Sequence, residues 1–286
     1  MANFTIQDIQ ELREFTGAGM LDVKNALTEA QGDRSRAIEL IRIKGLKGLA
    51  KREDRETTEG LVVAKVVGEP GAQFGYLAEL NCETDFVAKN EKFIAMAQTV
   101  IDYIAKFEAD NVTSALEIPT ETAALVDFIN QTAAVFNEKV VLKSVSRLDA
   151  AYVTVYLHKH SNELPPYLGT LLGHSELPES VAKALAQHVA GLAPKFFSKT
   201  TVPTEVLESE ERVAREIAAK ENKPENIIPK IVEGRLNVFY KENVFLEQPL
   251  AKDPTVIIKD LLKQNSGEVL GYARLAVGEP SLTVSG

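Results

Sequence analysis

The sequence predicts an α+β fold: a small three-helix head, a core of two related subdomains in which small antiparallel sheets are covered by helices, and a helical hairpin inserted in the second. Three observations predict it. Apolar residues in the first fifty positions recur at helical spacing and lead into a basic stretch. A strand, turn, strand and helix pattern then occurs twice, about 90 residues apart. After the second copy comes charged, helix-favouring sequence broken once by Lys223-Pro224-Glu225. The chain divides accordingly into residues 1–55, the head with its basic linker, 56–149, the first core subdomain, and 150–286, the second, with the hairpin at about 202–242.

In the head, Thr5 followed by Asp8 is an acidic variant of the capping pattern. Ile6, Ile9, Leu12 and Phe15 make one apolar face before Gly17 stops the first helix. Leu21, Val23, Ala26, Leu27 and Ala30 mark a second helix. Gly32 and Asp33 break it, and Ala37, Ile38, Leu40 and Ile41 form the buried side of a third. From Arg42 to Arg55 the run RIKGLKGLAKREDR reads as a linker or a solvated helix. Some fifty residues supply a marginal core of their own, so the head is expected to dock or be tethered.

The first core repeat is LVVAKVVG, a Gly-Glu-Pro-Gly turn at 68–71, FGYLAEL and a helix containing AMAQTV. The second is AYVTVYLH, a polar turn around Asn162, PYLGTLL and a helix containing ALAQHV. KVVLKSVSRLD at 139–149 and EVLGYARLAVG at 268–278 read as further strands. In the later insert, TEVLESEERVAREIAAKEN and IIPKIVEGRLNVFYKE read as paired helices with Ile227, Ile231 and Leu236 on a thin apolar side. Such a hairpin either lies on the body or projects as an arm for self-association.

Composition narrows the function classes. The 286 residues carry 41 Asp and Glu against 32 Lys and Arg, a formal charge of −9, which argues against affinity drawn from phosphate backbones. Direct nucleic-acid binding is not expected. Apolar runs fall short of the roughly 18–20 residues that cross a bilayer, so no membrane association is expected. One cysteine, Cys82, and a polar N-terminal stretch make the cytoplasm the expected compartment.

Chemistry-bearing residues are few. His158 and His160 would share one strand face, with Glu163 across the turn as the nearest further ligand, and a metal site needs three or four. No metal is expected. Cys82 with His158 is a formal nucleophilic pair, but a lone cysteine after a strand is more often a small buried hydrophobe. Gly17-Ala18-Gly19 lacks a third glycine and follows a helix, and nothing matches a phosphate loop, so no nucleotide or other cofactor is expected. The unusual segment is NCETDFVAKNEKF at 81–93. Thr84 can cap a short helical turn, and Asn90 a longer helix with Phe93, Ile94, Ala97, Val100, Ile101 and Ile104 as its core face. Phe86 stands outside that pattern. It either sits exposed in a polar rim or packs inward, and composition favours the inward placement.

With those residues in view, the chain closely resembles bacterial elongation factor Ts, the guanine-nucleotide exchange factors of elongation factor Tu. LREFTGAGMLDVKNAL at 12–27, ELNCETDFVAKN at 79–90 and VEGRLNVFYKENVFLEQPL at 232–250 carry the resemblance, in order and across nearly the whole chain. It implies a ubiquitin-associated-like head, a core of two α+β subdomains and a hairpin that can mediate homodimerisation. It implies a partner, elongation factor Tu, GDP-bound or nucleotide-free, and no enzymatic activity. It implies that Asp85 and Phe86 enter beside the partner's nucleotide and magnesium site, so that GDP leaves. Arg13, Met20 and Leu21 match the head's contact with the partner's nucleotide domain, and His158, in the YLH run, matches a core-strand histidine. Some members carry a further C-terminal helix on the partner; eight residues follow Gly278 here, and that contact is not expected. Readings from other classes are a head that tethers without altering nucleotide affinity and a hydrolase using Cys82.

Overall fold

Thr5 and Asp8 close a reciprocal cap at the start of the first helix. The Thr5 amide donates to Asp8 Oδ2 at 2.7 Å and the Asp8 amide to Thr5 Oγ1 at 3.1 Å. The computed structural model describes residues 4–16, 18–50, 52–121, 123–136, 138–221 and 224–286. Gly17, expected to stop the first helix, and Lys51 and Lys223, in the expected linker and turn, lie outside the described residues. Helices α1 (Ile6–Thr16), α2 (Met20–Glu29) and α3 (Arg34–Ala50) pack around Leu12, Val23, Ala26, Leu27 and Ala37. The break between α2 and α3 falls where Gly32 takes φ 90°, a conformation that costs glycine nothing. Ile6, Phe15 and Leu21, expected among the core residues, are exposed instead. Three short helices bury one narrow seam, and these positions lie off it. Within the basic run the chain remains helical to Ala50, and α3 lies against α7 of the core, introduced below.

The core begins with the hairpin β1 (Glu59–Glu69) and β2 (Ala72–Cys82). Glu69 pairs with Ala72, leaving Pro70 and Gly71 as the loop. Proline fixes its own φ and Gly71 accepts φ 100°. Helices α4 (Asp85–Ala88), α5 (Glu91–Lys106), α6 (Val112–Leu116) and α7 (Leu125–Phe136) follow, and β3 (Val141–Ala150) returns to pair antiparallel with β2. The second half repeats this plan. β4 (Tyr152–His158) and β5 (Leu168–His174) pair, α8 (Glu179–Leu192) covers them, and a later strand again joins the second strand of the hairpin. Between lie α9 (Thr204–Lys220) and α10 (Ile228–Asn243), packed on each other through a thin seam of Ala214, Ala218 and Val232. The ribbon β6 (Pro249–Leu250) and β7 (Asp253–Ile257) and helix α11 (Ile258–Gln264) lead into β8 (Val269–Ala276), and β9 (Leu282–Ser285) closes the sheet in the order β4-β5-β8-β9.

Alternation along the strands builds four layers. On β1 and β2, Leu61, Val63, Tyr76, Ala78 and Leu80 face α5 and α7, where Phe93, Ala97, Val100, Ile101 and Ile104 are buried. Ile94, expected on that face, is exposed at the helix edge. The intervening residues Val62 and Leu77 face the second sheet and meet Leu171, Ala273 and Leu275. Leu172 and Tyr272 turn to the far side, against Leu185, Ala186 and Val189 of α8. Both sheets are thus buried on both faces, which is why their strands read as nearly continuous apolar runs. Glycines set the spacing: a Cβ on Gly75 would stand 2.6 Å from Val153 Cγ1, and one on Gly169 2.8 Å from Val62 Cγ1. Among the described residues no helix is long and apolar enough to cross a membrane.

Candidate functional site

Strand β2 ends at Cys82, within the segment 81–93 that the sequence singles out. Thr84 has extended backbone, and its hydroxyl accepts from the Val87 amide at 3.4 Å, capping the single turn of α4. Asn90 then caps α5, its Oδ1 accepting from the Lys92 amide at 2.9 Å. One turn has two sides. Val87 and Ala88 point into the core shared with α5 and β2, so Asp85 and Phe86 are left outside. Phe86 keeps 71% of its surface in solvent, against the inward placement that composition favours for a large aromatic. Lys89 Nζ lies 4.4 Å from the Phe86 ring centroid and 3.4 Å from Asp85 Oδ2. Exposed contacts of both kinds contribute about 1 kcal/mol or less each, so Lys89 shields the ring without holding it.

The base of this turn is tied to distant chain. The Glu138 carboxylate accepts from the Glu83 and Thr84 amides, both at 3.1 Å, and from the Thr84 hydroxyl at 2.6 Å. In return the Lys139 amide donates to Glu83 Oε1 at 2.6 Å. Arg55 pairs with Glu83 at 3.1 Å, and Lys139 Nζ donates to the carbonyls of Glu53 and Arg55. None of these four side chains stands out in the sequence, because the partners are separated by up to 86 residues.

Cys82 is fully buried beneath the turn, its thiol donating to the Thr84 carbonyl at 3.3 Å. Burial, assisted by the negative charge of Glu138, pushes that thiol up to about 12. It carries almost no thiolate near neutrality and is no nucleophile.

The other candidate residues sit in two places. Arg13 lies on α1, and Met20 and Leu21 open α2; all three are exposed, and with Phe15 they present cation and apolar surface on the head. His158 closes β4 and is exposed, its Nδ1 2.8 Å from the Tyr156 hydroxyl. β4 ends there, so His160 does not share its face; instead it stacks on Tyr167 at 3.6 Å between centroids. Among the described residues no group of three His, Cys, Asp or Glu is placed to hold a metal ion. The start of β1 links the core candidates. Glu59 pairs with Cys82, the Val62 amide donates to the Pro166 carbonyl at 2.8 Å, and the Tyr167 amide to the His158 carbonyl at 3.0 Å. Asp85-Phe86 and His158 therefore lie toward the same end of the paired sheets.

Such a site offers an exposed aromatic and a carboxylate on a braced turn, with a buried, unreactive thiol beneath. Comparison with known proteins places the chain in a family. The family model described as Elongation factor TS matches residues 83–279. Over 280 residues, 97% of this chain and 100% of the relative, identity is 44% to Elongation factor Ts of Beutenbergia cavernae. It is 46% over 281 residues to that of Micrococcus luteus and 44% over 278 to that of Kineococcus radiotolerans, with the same coverage. These alignments take in the head, which the family model does not. By sequence along almost its full length, the chain belongs to the elongation factor Ts family and so to the elongation factors of protein biosynthesis.

Proposed function

We propose that the protein is a guanine-nucleotide exchange factor that binds elongation factor Tu and promotes release of GDP by inserting Asp85 and Phe86 near the partner's nucleotide and magnesium site. The observation that carries this reading is the posture of Phe86: a large aromatic held in water beside Asp85, on a turn whose other two side chains, Val87 and Ala88, are buried. Leaving such a ring exposed forgoes burial within its own chain and keeps that contact for a partner.

Exchange needs no nucleophile and no cofactor. A factor that binds the nucleotide-free partner more tightly than the loaded one weakens nucleotide affinity by the same ratio, since the coupling is reciprocal. A thousandfold weakening, for illustration, takes about 4 kcal/mol of differential binding. Full burial of one phenylalanine contributes roughly 1.5–3 kcal/mol, so Phe86 acts with other contacts. Arg13, Met20 and Leu21 of a ubiquitin-associated-like head supply the hold on the partner's nucleotide domain, and His158 a second contact from the core. A binding protein of this kind, working in the cytoplasm, is not an enzyme in its own right. The pair α9 and α10 is the candidate surface for a homodimer. The net charge of −9 suits a factor that must meet a protein while ignoring nearby RNA.

The test is stopped-flow release of a fluorescent GDP from elongation factor Tu as the chain is added. Accelerated release, saturating with concentration, is expected. Binding with no change in release would make the protein a tether instead.

A further inference from the structure

We propose that Glu138 is a positioning residue for Phe86: its carboxylate sets the direction in which α4 leaves the sheet, and with it the posture of the Phe86 ring. The inference rests on the exchange reading above. A single helical turn does not hold itself, because fixing its first residues costs more than one hydrogen bond returns. Something outside α4 must hold it. Val87 and Ala88 clamp one side, and at the start of the turn three donors converge on Glu138: the Glu83 amide, the Thr84 amide and the Thr84 hydroxyl. Because the hydroxyl gives its proton to Glu138, its lone pairs are left for the Val87 amide. The cap is thus oriented from 54 residues away. Hydrogen bonds to an ionised carboxylate are the stronger kind, so one side chain can hold this corner. Glu83 mirrors the arrangement, taking the Lys139 amide and pairing with Arg55. The chain arriving from the head is joined to the same corner through Lys139 Nζ.

A merely structural anchor and a positioning residue differ in one respect. Loss of a structural anchor lowers stability and impairs release whether or not Phe86 is present. Loss of a positioning residue matters to release only while there is a ring to position.

The experiment is a double-mutant cycle in the full chain, with Glu138→Ala, Phe86→Ala and the pair, read by stopped-flow release of fluorescent GDP from elongation factor Tu over a range of factor concentrations. Glu138→Ala is expected to lower the limiting release rate by up to the roughly 5- to 40-fold that loss of the ring itself costs, with the half-saturating concentration moved less than about threefold. In the Phe86→Ala background the same change is expected to alter the limiting rate less than about twofold. Glu138→Gln, which keeps one acceptor oxygen, should fall between, and it carries the cycle if Glu138→Ala melts below the assay temperature. Wild-type release by the Glu138 variants, or a loss that adds fully to that of Phe86→Ala, overturns the inference and leaves the exchange reading standing. A Phe86→Ala variant that releases GDP at the wild-type rate removes the wedge reading and this inference together.

Discussion

Replacing Phe86 by alanine should separate function from folding. With 71% of its surface already in solvent, the ring contributes less than a third of its burial energy to the fold. That share of roughly 1.5–3 kcal/mol is under about 1 kcal/mol, to which the Lys89 contact adds a few tenths. For a chain of this size the melting temperature should fall by less than about 5 °C. The exposed remainder, about 1–2 kcal/mol, is available to a partner, so the stopped-flow GDP assay should show release slowed roughly 5- to 40-fold. Unchanged release from a variant that melts normally would refute the wedge. A melting temperature lowered by more than about 8 °C would instead mean that the ring serves the core.

Other consequences follow from the buried groups. Cys82→Ser should leave GDP release unchanged, and in the native protein at pH 8 the thiol, held at about 12, should resist a thiol reagent that labels it at once in denaturant; rapid native labelling would contradict its burial. Gly169→Ala should lower the melting temperature by about 2–12 °C, since a Cβ 2.8 Å from Val62 and 3.0 Å from Leu77 overpacks the seam between the sheets at about 1–3 kcal/mol. A melt within a degree of the parent would show that the sheets can part without cost. His188 accepts from the Ala251 amide at Nδ1 and lies 2.7 Å from Gln248 Oε1 at Nε2, and burial holds both it and His174 below the ordinary histidine range. The unfolded chain therefore takes up protons first as pH falls through about 6.5, so stability present above that pH is lost below it, by up to about 1.4 kcal/mol per pH unit for each histidine until the native state titrates. Urea midpoints at pH 7.5, 6.5 and 5.5 should decline in that order, and a flat series would count against buried neutral histidines.

Much of the fold was legible because its signals are local. The Thr5-Asp8 and Thr84 caps, the Asn90 cap and the Pro70-Gly71 turn depend on residues within four positions of one another, and all are formed. Both hairpins and their covering helices follow from alternation and helical spacing. The helices α6, α7 and α11, the ribbon of β6 and β7, and the edge strand β9 were not anticipated. In α7 the buried positions Leu125, Ile129 and Ala133 keep helical spacing, but intervening apolar residues mask the period. Ile6, Phe15 and Leu21 fit their helices' apolar patterns yet lie in water, since a small head has too little interior for every apolar residue it carries.

By itself, then, the sequence determined the three-helix head, both hairpins with their covering helices, the α9 and α10 pair, and which family the chain belongs to, because those depend on neighbours along the chain and on ordered motifs. Only the tertiary structure decided that Phe86 faces water, that glycines let two sheets meet, and that Glu138 braces the turn beneath the ring. Each of these depends on strand register and on contacts across some 50 residues or more, and chain folding brings such groups together without leaving any local spacing to read.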